Sequence, residues 1–184
     1  MVRMRGEEAG HALVEALIAS AVVITVAAGV AQVAVMSAAS VRRDAAQGMA
    51  LFLAAQKLEQ LASLAWTYDA TLRPVSDVVT DLAVDPPAPT GQGLLPSPPI
   101  GAAAAGYIDY LDRDGAWIGT GSVPPAGTAF VRHWSVSPVP LSGPDVLLLQ
   151  VAVVAAGPRG GAGPMAVRSG DPGVTWLVTV RVRQ

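Results

Sequence analysis

The stretch ALIASAVVITVAAGVAQVAVMSAA, residues 16–39, decides the fold. No charged side chain occurs between Glu15 and Arg42, and the polar ones inside the run are Ser20, Thr25, Gln32 and Ser37. Crossing the hydrocarbon core of a bilayer as a helix takes roughly 20 apolar residues, and this run exceeds that. With no water in the bilayer to bond its backbone, a spanning segment must satisfy its own N–H and C=O groups, so the run predicts a helix. A cleaved secretory signal would have an apolar region of about 7–15 residues ending at small side chains. Residues 37–39 would serve as such a site, but the run is too long and a carboxylate stands at its start.

Working outward, the helix is expected to outlast the membrane. All 15 prolines lie at position 74 or later, and between His11 and Arg73 the only glycines are Gly29 and Gly48. Proline in a helix interior costs about 3 kcal/mol, so this absence is informative. Beyond Arg42 the pattern becomes amphipathic. Leu51, Ala54, Leu58, Leu61 and Ala65 recur at the spacing of one helical face, with Gln56, Lys57, Glu59, Gln60 and Ser63 on the other. A helix from residue 11 to 66 would be roughly 80 Å long at about 1.5 Å per residue.

Residues 67–106 contain seven prolines and many small side chains, which predicts a long irregular connection. Strand-like runs follow at 106–111, 116–119, 128–137 and 145–156, and residues 176–183 alternate like a half-buried strand. The first two flank Asp112-Arg113-Asp114-Gly115, where Asp-Gly favours a tight hairpin turn. The expectation is an α+β chain in five parts. They are a polar leader (1–10), a membrane-spanning segment (11–41), an amphipathic helical half (42–66), a connection (67–106) and an antiparallel sheet of about four strands (107–184). Leu51, Leu58 and Leu61 are expected to pack on that sheet, with Trp134, Trp176 and Val178 as partners.

The 184 residues suit a single domain. Hydrophobic residues are 52% and charged ones 14%, against about 25% charged in a soluble domain, so part of the chain avoids water. The net charge of −2 and the lack of any Lys/Arg-dense stretch give no footprint for nucleic acid. With no cysteine, disulfides, thiolate zinc sites and cysteine nucleophiles are excluded together. The two histidines, His11 and His133, make no pair in sequence, and no Gly-x-Ser-x-Gly elbow occurs. Residues 157–163, GPRGGAG, lack the Lys-Ser/Thr of a phosphate loop. Asp109, Asp112, Asp114 and Gly115 loosely resemble a calcium loop, but Tyr110 fills a ligand position and no downstream Glu completes it, so a hairpin turn is the favoured reading and metal binding the lesser one. No catalytic residue, cofactor or metal site is expected.

The informative constellation is the N-terminus, MVRMRGEEAGHALVEALIAS. Gly10 closes a ten-residue leader, the apolar run begins at once, and Glu15 lies inside it, five residues beyond Gly10. A charge at the bilayer centre costs roughly 2.5–3.5 kcal/mol on insertion scales, which marks Glu15 as a functional candidate. The alternative is an interfacial glutamate that reaches back to water.

Leader, glycine, apolar run and glutamate together resemble the class III signal of type IV prepilins and pseudopilins. HALVEALIAS and KLEQLASLAW are most similar to minor subunits of the PilV and GspI kind, and the resemblance covers about residues 3–66. It implies a pilin-like fold and cleavage between Gly10 and His11 by a prepilin peptidase, with methylation of the new amine of His11. It makes Glu15 an assembly residue that pairs with the amine of a neighbouring pilin or pseudopilin subunit. It implies an inner-membrane protein with its N-terminus in the cytoplasm and its C-terminal region outside. His11 departs from the Phe or Met usual after the cut. The competing reading is a single-pass anchored protein whose β-rich domain binds a partner outside the cytoplasm. The two differ at Gly10, because a plain anchor keeps its leader. Charge alone leaves the topology open, since Arg3 and Arg5 precede the run and Arg42 and Arg43 follow it.

Overall fold

A computed structural model describes residues 5–100, 104–139, 145–156 and 173–184. The chain divides into two compact units, Met1–Ala45 and Ala46–Gln184. One helix, α1 (Arg5–Ser63), contributes to both.

In the first unit the apolar side chains stand exposed, from Leu13 and Leu17 through Val26 and Val33 to Val41. This helix is long and apolar enough to cross a membrane. Its hydroxyls turn back on their own helix: Ser20 Oγ donates to Ala16 O at 2.7 Å and Thr25 Oγ1 to Ala21 O at 2.8 Å. Such bonds keep a polar side chain satisfied where water is absent.

The second unit is α+β. After the last turns of α1 come β1 (Trp66–Tyr68), β2 (Pro74–Ser76), β3 (Ile108–Leu111), β4 (Trp117–Thr120), β5 (Phe130–Pro138), β6 (Val146–Ala155) and β7 (Val174–Val182). Strands β3 to β7 form one antiparallel sheet of five, in the order β4-β3-β5-β6-β7, each on one of the five strand-like runs of the sequence. Helix α1 ends at Ser63, short of the expected residue 66, and Trp66 opens β1, which pairs with β2 as a separate ribbon at the start of the segment read as an irregular connection. Its turn is held by Asp69 Oδ1, which accepts the backbone N–H groups of Thr71 and Arg73. The Gly-rich stretch 157–163 lies outside the described residues.

The inner face of the sheet carries Leu111, Phe130, Trp134, Val136, Leu149, Val151 and Val153, which form one core with Ala50, Leu53, Ala54, Leu61 and Leu64. The helical stripe is thus rotated from the expected phase. Leu51 is half exposed and Leu58 only partly buried, while Leu53 and Lys57 point inward. Residues 50, 53, 54, 57, 61 and 64 keep the 3–4 spacing, so the period was right and its origin shifted. The phase of β7 is also reversed. Val151 faces the core and pairs with Leu177, so Leu177 faces inward, Trp176 packs on the opposite face, and Val178 is 53% exposed. A one-residue change of register swaps every side chain between faces, and the pairing with β6 decides it.

The expected hairpin joins β3 to β4. Asp112 Oδ1 accepts the N–H groups of Asp114 and Ala116, and Gly115 has φ +81°. A Cβ at Gly115 would lie 2.6 Å from the flexible end of Met49, which can move aside, so it is the positive φ that calls for glycine there.

Candidate functional site

Gly10, His11 and Glu15 share one unbroken helix, since α1 runs from Arg5 through all three. The bond between Gly10 and His11 is therefore helical. Glu15 is exposed and lines a shallow groove with His11, Val14, Ile18 and Ala19. The ion pairs of the described residues are Lys57–Asp109, Arg132–Asp109 and Arg183–Asp145, and Glu15 is in none of them. Ser20 and Thr25, the nearest hydroxyls in sequence, are committed to carbonyls of their own helix. His11, four residues before Glu15, lies on the same helix face.

A second constellation, missed entirely in the sequence, sits in the sheet-bearing unit. Asp109 on β3 receives Lys57 Nζ from α1 at 2.9 Å and Arg132 from β5 through Nε at 2.9 Å and Nη2 at 2.8 Å. All three side chains are nearly solvent-free, at 1–4% exposure. Arg132 Nη1 reaches on to Leu53 O and Gln56 Oε1, both at 3.1 Å. Lys57 Nζ donates to Leu82 O at 2.6 Å and lies 4.4 Å from the centre of the Trp134 ring. Burial pulls the Lys57 ammonium down to about 8 from its ordinary 10.5, and Asp109 opposes that shift without cancelling it. His133, on the outer face of β5, is also lowered, by burial first, with Asp109 opposing, and its Nε2 has no hydrogen-bond partner. The cluster joins a helix, two strands and the 77–95 segment, and has no open face toward a substrate.

Asp109 is thus spent inside the sheet, and Asp112 is spent on its own turn. Among the described residues no three His, Cys, Asp or Glu side chains converge as a metal site would require.

A third junction closes the C-terminal end. Arg183 stacks 3.4 Å from the centre of the Trp66 ring, pairs with Asp145 at 2.9 Å and donates to Thr67 O and Val75 O. Gln184 O accepts the Tyr68 N–H at 3.0 Å. These contacts fasten the β1–β2 ribbon to the end of β7.

No family model matches this chain, and neither a curated protein nor a solved structure is similar to it.

Proposed function

We propose that this chain is a minor pilin or pseudopilin, a structural subunit and not an enzyme, carried in the inner membrane by the first part of α1 and assembled into a type IV filament through that helix. The observation that carries this reading is Glu15, a carboxylate exposed on an apolar helix and outside every ion pair of the described residues. A charge at membrane depth must find a counter-charge or stay costly. Cleavage between Gly10 and His11 by a prepilin peptidase would create an amine at the head of the helix, methylated on His11. The amine of one subunit and the Glu15 carboxylate of its neighbour would then neutralise each other at one axial stagger only, which fixes register between chains. The short charged leader and the placement of Gly10 support the same reading. So do Leu51 and Phe52, apolar side chains at 50% and 61% exposure on α1 that the sheet leaves uncovered and that packed neighbouring helices would cover.

The test has two parts. Intact-mass measurement of the protein from a strain with an active prepilin peptidase should give a chain beginning at methylated His11. A retained leader excludes the class and favours the plain membrane anchor. Glu15→Gln should then leave membrane level and processing unchanged and lower recovery in sheared filaments at least about tenfold, the factor that 1.4 kcal/mol of lost pairing produces. Normal recovery would make Glu15 an interfacial bystander.

A further inference from the structure

The groove around Glu15 contains one other group able to hydrogen-bond a carboxylate, the imidazole of His11. The two side chains are four residues apart on a continuous helix, which sets their Cβ atoms about 6 Å apart, within reach of each other by rotamer choice. They are the only ionisable side chains between residues 11 and 41. Val14, Ile18 and Ala19, the rest of the groove, offer Glu15 nothing polar.

We propose that His11 is the in-chain counter-group of Glu15: no hydrogen bond or ion pair joins the two in this structure, and in a bilayer a change of rotamer brings the imidazole N–H onto the carboxylate along one face of α1, a place it yields when an external cation docks. A neutral imidazole suffices, since one ring nitrogen carries a proton in either tautomer. A hydrogen bond also avoids the disadvantage of a cation placed N-terminal to an anion on a helix, the poorer orientation for an ion pair. In an apolar surrounding water cannot compete for the carboxylate, so the bond is stronger than the same pair would be on a wetted helix. Two other carboxylates, Glu7 and Glu8, stand four and three residues before His11. They belong to the polar leader, where water competes for them, and Glu15 belongs to the apolar run.

The role of His11 rests on the membrane placement of α1, and on the filament reading only for the identity of the cation that displaces it. The pair itself is tested without any filament. The full chain, expressed without prepilin peptidase and reconstituted in phosphatidylcholine bilayers, is labelled with nitrogen-15 in the histidine rings. Only two histidines report, and His133, buried in β5, is the internal control. Glu15→Gln should move the ring-nitrogen resonances of His11 by more than their linewidth and leave those of His133 in place. The double variant Glu7→Gln/Glu8→Gln should move His11 less than Glu15→Gln does. Unmoved His11 resonances in Glu15→Gln overturn the proposal, as does a larger shift from the leader pair than from Glu15. Glu15→Asp, which keeps the charge but shortens the reach, should fall between wild type and Glu15→Gln. If the pair is found but Glu15→Gln assembles normally, the filament reading fails while the pair stands.

Discussion

The two units of this chain treat charge in opposite ways. Around Asp109 three ionised side chains from three elements meet within hydrogen-bond distance and are closed off from water. On the helix of the first unit a single carboxylate, Glu15, stands exposed among apolar side chains and outside every ion pair of the described residues. A buried charge with its partners in place holds its own chain together. A charge left without one, in surroundings that penalise it, points to a partner elsewhere. On the proposed reading, the difference separates residues that make the fold from one that serves a use of it.

The largest expected effect breaks the Asp109 side of this contrast. Asp109→Ala would leave Lys57 and Arg132 buried with no anion between them, and stranding a buried charge costs about 3–5 kcal/mol. In detergent-solubilised full-length protein the unfolding of the sheet-bearing unit should move to markedly lower temperature. Lys57→Met should be far milder, because Asp109 keeps both of its bonds to Arg132. Glu15→Gln should leave that transition where it is. Equal losses from Asp109→Ala and Glu15→Gln would erase the distinction between the two sites.

The contrast also bears on what could be read in the sequence. The long helix was legible because a proline-free apolar run of that length has little else to form, and the strands because short β-rich runs are set off by turn signals such as Asp112 to Gly115. Phase was not legible. Leu51 and Phe52 look like core residues and are exposed, while Lys57 looks like a surface residue and is buried, because the second unit sets the helix rotation through contacts distant in the chain. In β7 both alternating sets carry apolar side chains, so only the pairing of Leu177 with Val151 decides which face is inner. The Lys57–Asp109–Arg132 cluster joins residues up to 75 positions apart, and its one local trace is a lone charge inside the apolar runs around Asp109 and Arg132, since Lys57 sits among Gln56, Glu59 and Gln60. The β1–β2 ribbon was hidden because Pro74 opens its second strand, and proline usually argues against one.

A smaller effect sharpens the contrast through pH. The ordinary lysine holds its proton to 10.5, while Lys57 in the fold releases it near 8. Between those values the unfolded chain binds more protons than the folded one, so stability rises with pH. The charged ammonium is a burden on the fold below pH 8, and the burden lifts as it deprotonates. From pH 8 to 9.5 the gain should be about 2 kcal/mol, at about 1.4 kcal/mol per pH unit. The window should stop short of pH 10, where Tyr107 and Tyr110, both raised by burial, contribute with the opposite sign. Denaturant melts of wild type should show the rise, and Lys57→Met should be flat over the same range. A wild-type curve that falls from pH 8 to 9.5 would mean that pairing with Asp109 outweighs the burial of Lys57.

The smallest expected effect on stability belongs to Phe52. Its side chain is 61% exposed on α1, one position from Leu53, which is buried at 1%. Truncating an exposed side chain usually changes stability by less than about 0.5 kcal/mol, while emptying the space of a buried leucine costs about 2–5 kcal/mol. Phe52→Ala should therefore melt like wild type, and Leu53→Ala should not. An exposed phenylalanine has no folding reason to be there, so its apolar surface is expected to be covered in the assembled state. On the filament reading Phe52→Ala should lower recovery in sheared filaments at unchanged membrane level, which would place a second assembly residue on α1, 37 positions after Glu15. A large loss of stability from Phe52→Ala would show that the side chain is part of the core of its own unit, and would leave Glu15 as the one residue on which the contrast between the two units rests.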